Sequence, residues 1–496
     1  MKISKSPLTG TEYKIPSQLD DSAAISNFVK QHNDKEIVVV QGLGFVGAVM
    51  SLVCANGIND NYAVIGVDLP SPESFWKIQS LNEGIFPLIA EDPKIEDFFN
   101  STKIKGNFLA TYDSEAYKYA DVIIVDINLD VLKTSNANNK LLDFDVDMSG
   151  FTKAIKDIGK YFKEDALILV ETTVPPGTCE RLVKPIIEKE LENRGLKKDK
   201  FRLGHSYERV MPGPNYVDSI REFPRVYSGI NESSADSVEA FLKTIINTSV
   251  CELTRLNHTN ATEIAKVLEN SYRAMNISFA VEWSRFAEEA KVDLYSIVNA
   301  IRVRDTHSNL MYPGIGVGGY CLTKDPLLAS WARKSYFGSE DALEMSINSV
   351  ATNDQMPKYA FKRILNVFGN IKNKRISLLG VSYRGDVGDT RYTPVYYLLE
   401  HIKSETTHIK LHDPYISFWE EQNTKIDNDI NEVISASSDL IIISTGHSEY
   451  KTKETISKLM KIPPTFIFDT IGIFTDNQLN ELSKKHKLSI LGRGDI

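Results

Sequence analysis

Apolar positions along the chain form short continuous runs, separated by glycine turns and by stretches with helical spacing. EIVVV (36–40) has the β-branched density of a buried strand, and the apolar stretch after Gly47 has helical spacing. YAVIGVDLP (62–70), ADVIIVDI (120–127) and DALILV (165–170) are further strands of the same kind. Buried strands alternating with helices predict an α/β fold with a doubly wound parallel sheet. From about 254 to 300 the strand signal disappears and helical spacing persists, which predicts one long helix serving as an interdomain spine or a dimer contact. The glycine-rich loop YPGIGVGGYC (312–321) interrupts that helical region. Strands return at 374–385, 408–415, 438–447 and 464–472, so a second α/β unit follows the helices. Residues 1–34 carry no strong period and predict an extension or an N-terminal helix.

Composition narrows the function classes. The 496 residues are 42% hydrophobic and 25% charged, ordinary values for a globular protein of several domains. A net charge of -9 argues against sequence-independent nucleic-acid binding. No apolar run approaches the roughly 20 residues that a membrane helix needs, and the N-terminus lacks the apolar core of a secretory signal. Cys54, Cys179, Cys251 and Cys321 are scattered without a CxxC pair, so no metal site and no disulfide framework is expected. The expectation is a cytoplasmic protein that does not engage the membrane.

Gly42-x-Gly44-x-x-Gly47 joins a predicted strand to a predicted helix. The first glycine permits the tight turn, the second lets a pyrophosphate approach the backbone, and the third lets helix and strand pack closely. The helix N-terminus supplies free N–H groups to the phosphates. Asp68 lies 21 positions after Gly47, at the end of the next strand, where its carboxylate can accept from ribose hydroxyls and would repel a 2′-phosphate. This arrangement predicts an NAD site.

Other candidates are weaker on residue type alone. Cys321 follows dense glycines and precedes Lys324 and Asp325, charges that can tune a thiol, yet a cysteine among glycines is more often a packing residue. Lys266 and Asn270 stand four apart on the predicted long helix with Glu263 a turn earlier; spacing alone reads equally as a solvated face. Glu208, beside a proline–glycine turn, is uninformative in isolation.

The ordered motifs GLGFVG, ETTVPPGT, ERVMPGP, EIAKVLENSYRAMNISF, PGIGVGGYCLTKDP, NDQMP, GVSYRGDVGDTRYTP and DPY resemble the UDP-glucose/GDP-mannose dehydrogenase family from about residue 36 to the C-terminus. The resemblance implies two Rossmann-like domains joined by a central helical dimerisation domain. On that pattern residues 1–34 are an extension, 35–250 bind NAD, 251–355 carry the catalytic cysteine, and 356–496 bind the UDP-sugar. It implies a four-electron oxidation of the sugar C6 alcohol to a carboxylate with NAD. Cys321 matches the nucleophile, Lys266 and Asn270 the oxyanion-stabilising pair, and Asp325 the carboxylate that assists proton transfer and water. Glu208 matches a carboxylate that serves acid/base work or thioester hydrolysis, and Thr173 a residue that holds water and touches the cofactor. Phe45 and Val46 join Gly42, Gly44, Gly47 and Asp68 as cofactor contacts. Arg209, Gly314, Gly316, Gly318, Gly319, Tyr383 and Arg384 fall at nucleotide-sugar positions. Arg391 fits either that region or an interdomain ion pair. The partners implied are a UDP-sugar and a second copy of the chain.

Four departures from the family pattern stand out. DINLD (126–130) replaces a V-x-T-P turn near the cofactor, Tyr320 replaces a histidine common in the N-acetylhexosamine branch, and Ile471 replaces a nucleotide-touching arginine. The arginine that a neighbouring subunit donates has no counterpart, leaving Arg302, Arg304 and His307 as stand-ins. ERVMPGP resembles the branch acting on UDP-N-acetylglucosamine or UDP-N-acetylmannosamine, ahead of UDP-glucose, where PEFLREG is usual. Two rivals stand beside this reading. A two-electron hydroxyacid-type dehydrogenase conflicts with Cys321, Asp325 and the C-terminal unit, and a non-catalytic nucleotide-sugar binder rests on the departures alone.

Overall fold

The structure, a computed structural model, describes residues 2–58, 62–88, 92–136, 141–210, 213–434 and 438–496. The chain forms two compact units. The first comprises Met1–Asp130, Val146–Val267 and Ser335–Gly338, and the second Val131–Asp145, Leu268–Lys334 and Ser339–Ile496.

The first unit is built on an eight-stranded sheet. Its strands are β1 (Glu36–Gln41), β2 (Tyr62–Val67), β3 (Phe108–Thr111), β4 (Val122–Val125), β5 (Leu167–Val170), β6 (Arg202–Tyr207), β7 (Arg225–Gly229) and β8 (Leu253–Arg255). They lie in the order β8-β7-β6-β5-β4-β1-β2-β3. β1 to β6 are parallel, whereas β7 and β8 run the other way, because β6 pairs antiparallel with β7. The central strands are apolar on both faces since helices cover each side, and the two faces form separate cores around Val38 and Val40, and around Val39 and Ile123. The chain steps from β1 outward to β2 and β3, then returns to β4 on the far side of β1, so the order reverses between β1 and β4. Residues 1–34 form a small hairpin and the helix Ser22–Gln31. Ile25 and Phe28 of that helix enter the core, and Ser4 accepts from the Trp76 N–H at 2.9 Å.

The second unit holds a five-stranded parallel sheet, β9 (Ile376–Leu379), β10 (Ile409–His412), β11 (Leu440–Ile443), β12 (Phe466–Asp469) and β13 (Lys487–Ile490), in the order β10-β9-β11-β12-β13. Here the order reverses between β9 and β11. A hairpin at 130–147 follows β4 in sequence; its Leu141 packs with Leu327 and Val350 of the second unit. The predicted helical stretch is two helices, Thr259–Glu289 and Leu294–Arg302. Lys291 in the left-handed region (φ 58°) and a bond from Val292 N–H to the Ala287 carbonyl end the first. Asp293 caps the second by accepting from the Tyr295 N–H. Among the described residues no helix is long and apolar enough to cross a membrane.

Three carboxyls of the first unit are shut away from water. Burial pushes Glu263 up to about 7, drives Asp126 well above the usual range with Glu171 adding to it, and raises Glu171 against the pull of Arg225. Each binds its proton more tightly folded than unfolded, so their contribution to stability is present at low pH and is lost as pH rises through the folded value. For Glu263 the loss between about pH 6 and 8 amounts to about 1 kcal/mol. The thermal midpoint is therefore expected to fall over that range, and Glu263→Gln, which keeps an accepting oxygen but cannot titrate, is expected to narrow the fall. A variant with the wild-type pH dependence would contradict this account.

Candidate active site

The turn after β1 shows why its glycines are glycines. Gly42 has φ 100°, and a β-carbon there would stand 2.1 Å from the Asp126 carbonyl oxygen. At Gly47 it would stand 1.9 Å from the Gly42 carbonyl oxygen. Gly44 differs, since it caps the helix Phe45–Ala55 in an ordinary extended conformation with nothing within 4 Å of its missing β-carbon. The first and third glycines are demanded by protein, and the second leaves open space beside free helix N–H groups. Asp68 sits just past β2, where its two oxygens accept from the Leu43 N–H (3.1 Å) and Leu69 N–H (2.7 Å). Phe45 and Val46 are half-buried at the helix start, and the Phe45 carbonyl accepts from the Tyr216 hydroxyl at 2.6 Å. Thr173 is half-buried in the turn beyond β5. Open backbone at Gly44 with a braced carboxylate at Asp68 fits a dinucleotide.

The DINLD departure is resolved by where its side chains go. Asp126 Oδ2 is enclosed with no hydrogen-bond partner among the described residues, Leu129 enters the core, and Asn128 and Asp130 are exposed. Glu171 is buried with the Arg225 guanidinium 3.6 Å away. With two raised carboxyls against one guanidinium, burial and mutual repulsion make the pair hold protons more tightly than free carboxyls do.

Glu208 and Lys266 lie together in the first unit. Lys266 is buried, its Nζ donates to the Glu208 carbonyl at 2.8 Å, lies 3.9 Å from Glu208 Oε1, and sits 5.4 Å from the Tyr207 ring centroid. Arg209 donates to the Pro224 carbonyl at 2.5 Å and covers the same ring. The face that spacing alone could read as solvated is thus buried at these positions. Glu263 accepts from the backbone N–H groups of Gly177 (2.6 Å) and Cys179 (2.9 Å), clamping the VPPGT turn that follows Thr173.

In the second unit Cys321 is exposed, whereas Cys54, Cys179 and Cys251 are buried. Its carbonyl accepts from the Asp325 N–H at 2.9 Å, closing the turn before the helix Asp325–Ser335. Asp325 is fully buried; one oxygen accepts from Asn270 Nδ2 (2.7 Å) and the other from Lys324 Nζ (2.7 Å). The Lys324 ammonium also lies 4.5 Å from the centroid of Tyr320, whose ring packs against Tyr392. The structure thus brings together Cys321, Asp325 and Asn270 in this unit, and Lys266 with Glu208 in the other. The helix Thr259–Glu289 carries both Lys266 and Asn270.

A cavity of about 320 Å³ opens where the second sheet reverses order. Tyr383 and Arg384 line it from the turn after β9, Thr445 and Gly446 from the turn after β11, with Gly314 and Ile471. Ile471 gives an apolar wall where the family pattern has an arginine. A β-carbon on Gly318 or Gly319 would strike Tyr383, at 2.5 and 2.9 Å, so the glycine loop ahead of Cys321 is moulded to that ring. Arg391 pairs within its own turn, 2.6 Å from Asp389, and its carbonyl accepts from the Gly319 N–H. Arg302 donates to the Ser308 carbonyl, while Arg304 and His307 are exposed.

Glu171 and Arg225 were not singled out by sequence reasoning, and Glu263 was named only as part of a face that could be solvated. Only the polar residues flanking apolar strand runs hinted at them.

Comparison with known proteins places these geometries. Three models of the UDP-glucose/GDP-mannose dehydrogenase family match in succession, the NAD binding domain over residues 35–248, the central domain over 260–353 and the UDP binding domain over 377–476. The chain is 29% identical over 471 residues to the UDP-N-acetyl-D-mannosamine dehydrogenase of Pyrococcus horikoshii, spanning 92% of this chain and 100% of that protein. The solved structure of a UDP-D-ManNAc dehydrogenase from Pyrococcus horikoshii superposes with a TM-score of 0.75 at 25% identity, covering 93% and 100% of the two chains. An NDP-N-acetyl-D-galactosaminuronic acid dehydrogenase from Methanosarcina mazei Go1 gives a TM-score of 0.74 at 25% identity, covering 95% and 98%.

The contrast between two glycines tests the dinucleotide turn. Gly44→Ala is expected to fold with an unchanged thermal midpoint and to bind NAD at least about tenfold more weakly. Gly42→Ala is expected to lose about 2 kcal/mol or more of stability. Tight NAD binding by a folded Gly44→Ala protein, read by fluorescence titration, would remove the turn from the cofactor site.

Proposed function

The chain belongs to the UDP-glucose/GDP-mannose dehydrogenase family, whose members are NAD-dependent oxidoreductases, and from that premise we propose that it oxidises the C6 hydroxyl of a UDP-N-acetylhexosamine to the uronate. The observation that carries this reading is the exposed Cys321 ahead of a buried Asp325 that Asn270 and Lys324 hold from two sides. UDP-N-acetylmannosamine is the first choice of sugar, because relatives 29% and 28% identical to this chain are named for it. ERVMPGP supports the same branch.

The proposed chemistry balances as one alcohol and one water giving one carboxylate, two hydrides and three protons. NAD, bound at the Gly42–Gly47 turn with Asp68 on a ribose, supplies the hydride acceptor in both oxidations. Glu208 takes the hydroxyl proton directly or through water, and Thr173 holds that water beside the cofactor. Loss of the first hydride leaves an aldehyde. The Cys321 thiolate adds to its carbon, and the new oxyanion is met by the Lys266 ammonium and the Asn270 amide. Cys321 precedes a helix N-terminus, where negative charge is favoured. Loss of the second hydride gives a thioester. Asp325 guides the water that cleaves it, returning the thiol and releasing the acid. Tyr383 and Arg384 hold the nucleotide, Arg384 pairing with a diphosphate oxygen; Arg209, Gly314 and Gly318 complete the sugar-nucleotide contacts. A nucleophilic thiol must stay reduced, which supports the cytoplasm as its compartment.

We assign the exposed apolar stripe of the helix Thr259–Glu289 to a homodimer. Leu268, Tyr272, Phe279, Trp283 and Phe286 recur at three-, four- and seven-residue spacing, each more than two-fifths exposed. Along it the Trp283 ring packs tilted against Phe279 and edge-on against Phe286. A stripe of this size and regularity on a charged protein calls for a cover, and a second copy presents a self-complementary one.

Cys321→Ala is expected to abolish uronate formation while leaving NAD binding intact, and the native protein to yield two NADH per sugar consumed. A yield of one would sink the four-electron scheme, and normal turnover by the variant would sink the role of Cys321. Assays across both UDP-N-acetylhexosamines, UDP-glucose and GDP-mannose test the sugar. Trp283→Glu combined with Phe286→Glu is expected to convert a dimer into a folded monomer by light scattering, and an unchanged mass would reject the stripe as the interface.

A further inference from the structure

The two turns lining the cavity of the second unit lie beyond the last ladder bonds of β9 and β11, so strand pairing does not hold them. They are held through His447, whose side chain is fully buried. The Asp386 N–H donates to His447 Nδ1 at 2.9 Å, so Nδ1 is unprotonated and the proton is on Nε2. Nε2 donates to Asp413 Oδ2 at 3.1 Å. That oxygen also accepts from the Val381 N–H (2.9 Å), the Ser382 N–H (3.0 Å) and the Ser382 hydroxyl (2.9 Å). Burial alone would raise the Asp413 carboxyl, but the bonds from His447 and the backbone hold it below its ordinary range, so it is an anion anchoring five donors, the fifth being the Tyr415 N–H on Oδ1 (3.0 Å). Asp386, with φ 57°, closes the circuit by accepting from the Ser448 N–H (2.7 Å) and hydroxyl (2.6 Å).

Both ends of the segment 382–386 are therefore tied to one imidazole–carboxylate pair, Ser382 through Asp413 and Asp386 through His447. Tyr383, Arg384 and Gly385 span the gap between the ties and line the cavity. Their path has no slack, because a β-carbon on Gly385 would stand 2.2 Å from the Gly446 carbonyl oxygen. Thr445 adds a bond to the Ser382 carbonyl at 2.6 Å, fastening the second turn to the first.

We propose that His447 is a positioning residue for the sugar nucleotide, fixing Tyr383 and Arg384 at the cavity through Asp386 and Asp413. It rests on the reading of this cavity as the nucleotide site. A buried ring that bonds a backbone amide on one nitrogen and a carboxylate on the other does what neither bond does alone, which is to set the distance between the two ends of the turn. An Arg384 guanidinium displaced by an ångström loses its directional pairing with a diphosphate.

Two variants separate this role from simple loss of fold. His447→Gln retains a donor to Asp413 and loses the acceptor for the Asp386 N–H, and His447→Asn does the reverse. Each is expected to remain folded, to bind UDP about tenfold more weakly by calorimetry, and to raise the sugar-nucleotide KM by a similar factor. The NAD dissociation constant is expected to stay at the wild-type value, and kcat to fall by less than about threefold. UDP affinity unchanged in both folded variants, or an equal loss for NAD and UDP, overturns the proposal alone. A native chain that does not bind UDP, or an Arg384→Ala variant with native UDP affinity, overturns the reading of the cavity and the proposal with it.

Discussion

Where a doubly wound sheet reverses its strand order, two neighbouring chains leave the sheet side by side and then diverge to opposite faces, and their backbones must pass at close range. In this protein that passage leaves no room for a side chain. At the first reversal the Asp126 carbonyl occupies the place of a β-carbon on Gly42, and at the second the Gly446 carbonyl occupies that place on Gly385. The same constraint opens the crevice above each passage, because the diverging helices leave their N-termini and turns uncovered. Ligand sites follow from that geometry before any particular side chain is chosen. The two sheets meet the constraint alike although their sequences share no evident repeat.

The two crevices are then finished by different electrostatics. Above the first, backbone N–H groups at the start of the helix Phe45–Ala55 supply the positive end, and burial together with the neighbouring Glu171 raises the nearby carboxyl of Asp126 well above its usual range. A charged Asp126 would oppose a diphosphate, and a neutral one does not. The departure from the family's V-x-T-P turn is in this way made compatible with an anionic cofactor. Around the thiol the carboxylate is handled in the opposite manner. Asp325 is fully buried but receives an ammonium and an amide at 2.7 Å each, so its charge is balanced where it stands.

Much of the fold was legible because buried parallel strands write themselves as continuous apolar runs, and every such run named from the sequence is a strand of one of the two sheets. The fingerprint at 42–47 was legible for the same reason, since its glycines answer a steric demand that no other residue meets. What was not legible depended on tertiary neighbours. The reversal of β7 and β8 is invisible in their composition. The strands Asp130–Ser135 and Leu141–Asp147 are largely exposed and carry polar residues throughout, so neither writes a continuous apolar run. The end of the helix at Glu289 rests on Lys291 adopting a left-handed conformation, and lysine carries no such signal. Glu263, one turn before Lys266, has the spacing of a solvated face and proves to be a buried clamp on the VPPGT turn, because a strand and a turn distant in sequence pack over it.

The candidate site shows the same division between steric and relational information. Cys321, Asp325 and Asn270 could be named from ordered motifs, yet their distances depend on a helix start and a glycine loop shaped against Tyr383. That ring is the point where substrate recognition and the thiol become mechanically related within the second unit. Tyr383 lines the cavity of the second unit and also fixes Gly318 and Gly319, which stand three and two residues before Cys321. Any displacement of the Tyr383 turn therefore bears on the loop that carries Cys321. The apolar wall at Ile471 faces this same cavity and weakens the case for tight charge-based recognition of the nucleotide at that edge. On the proposed reading of this cavity, the burden of holding the diphosphate falls on Arg384 and on the packing that holds its turn in place.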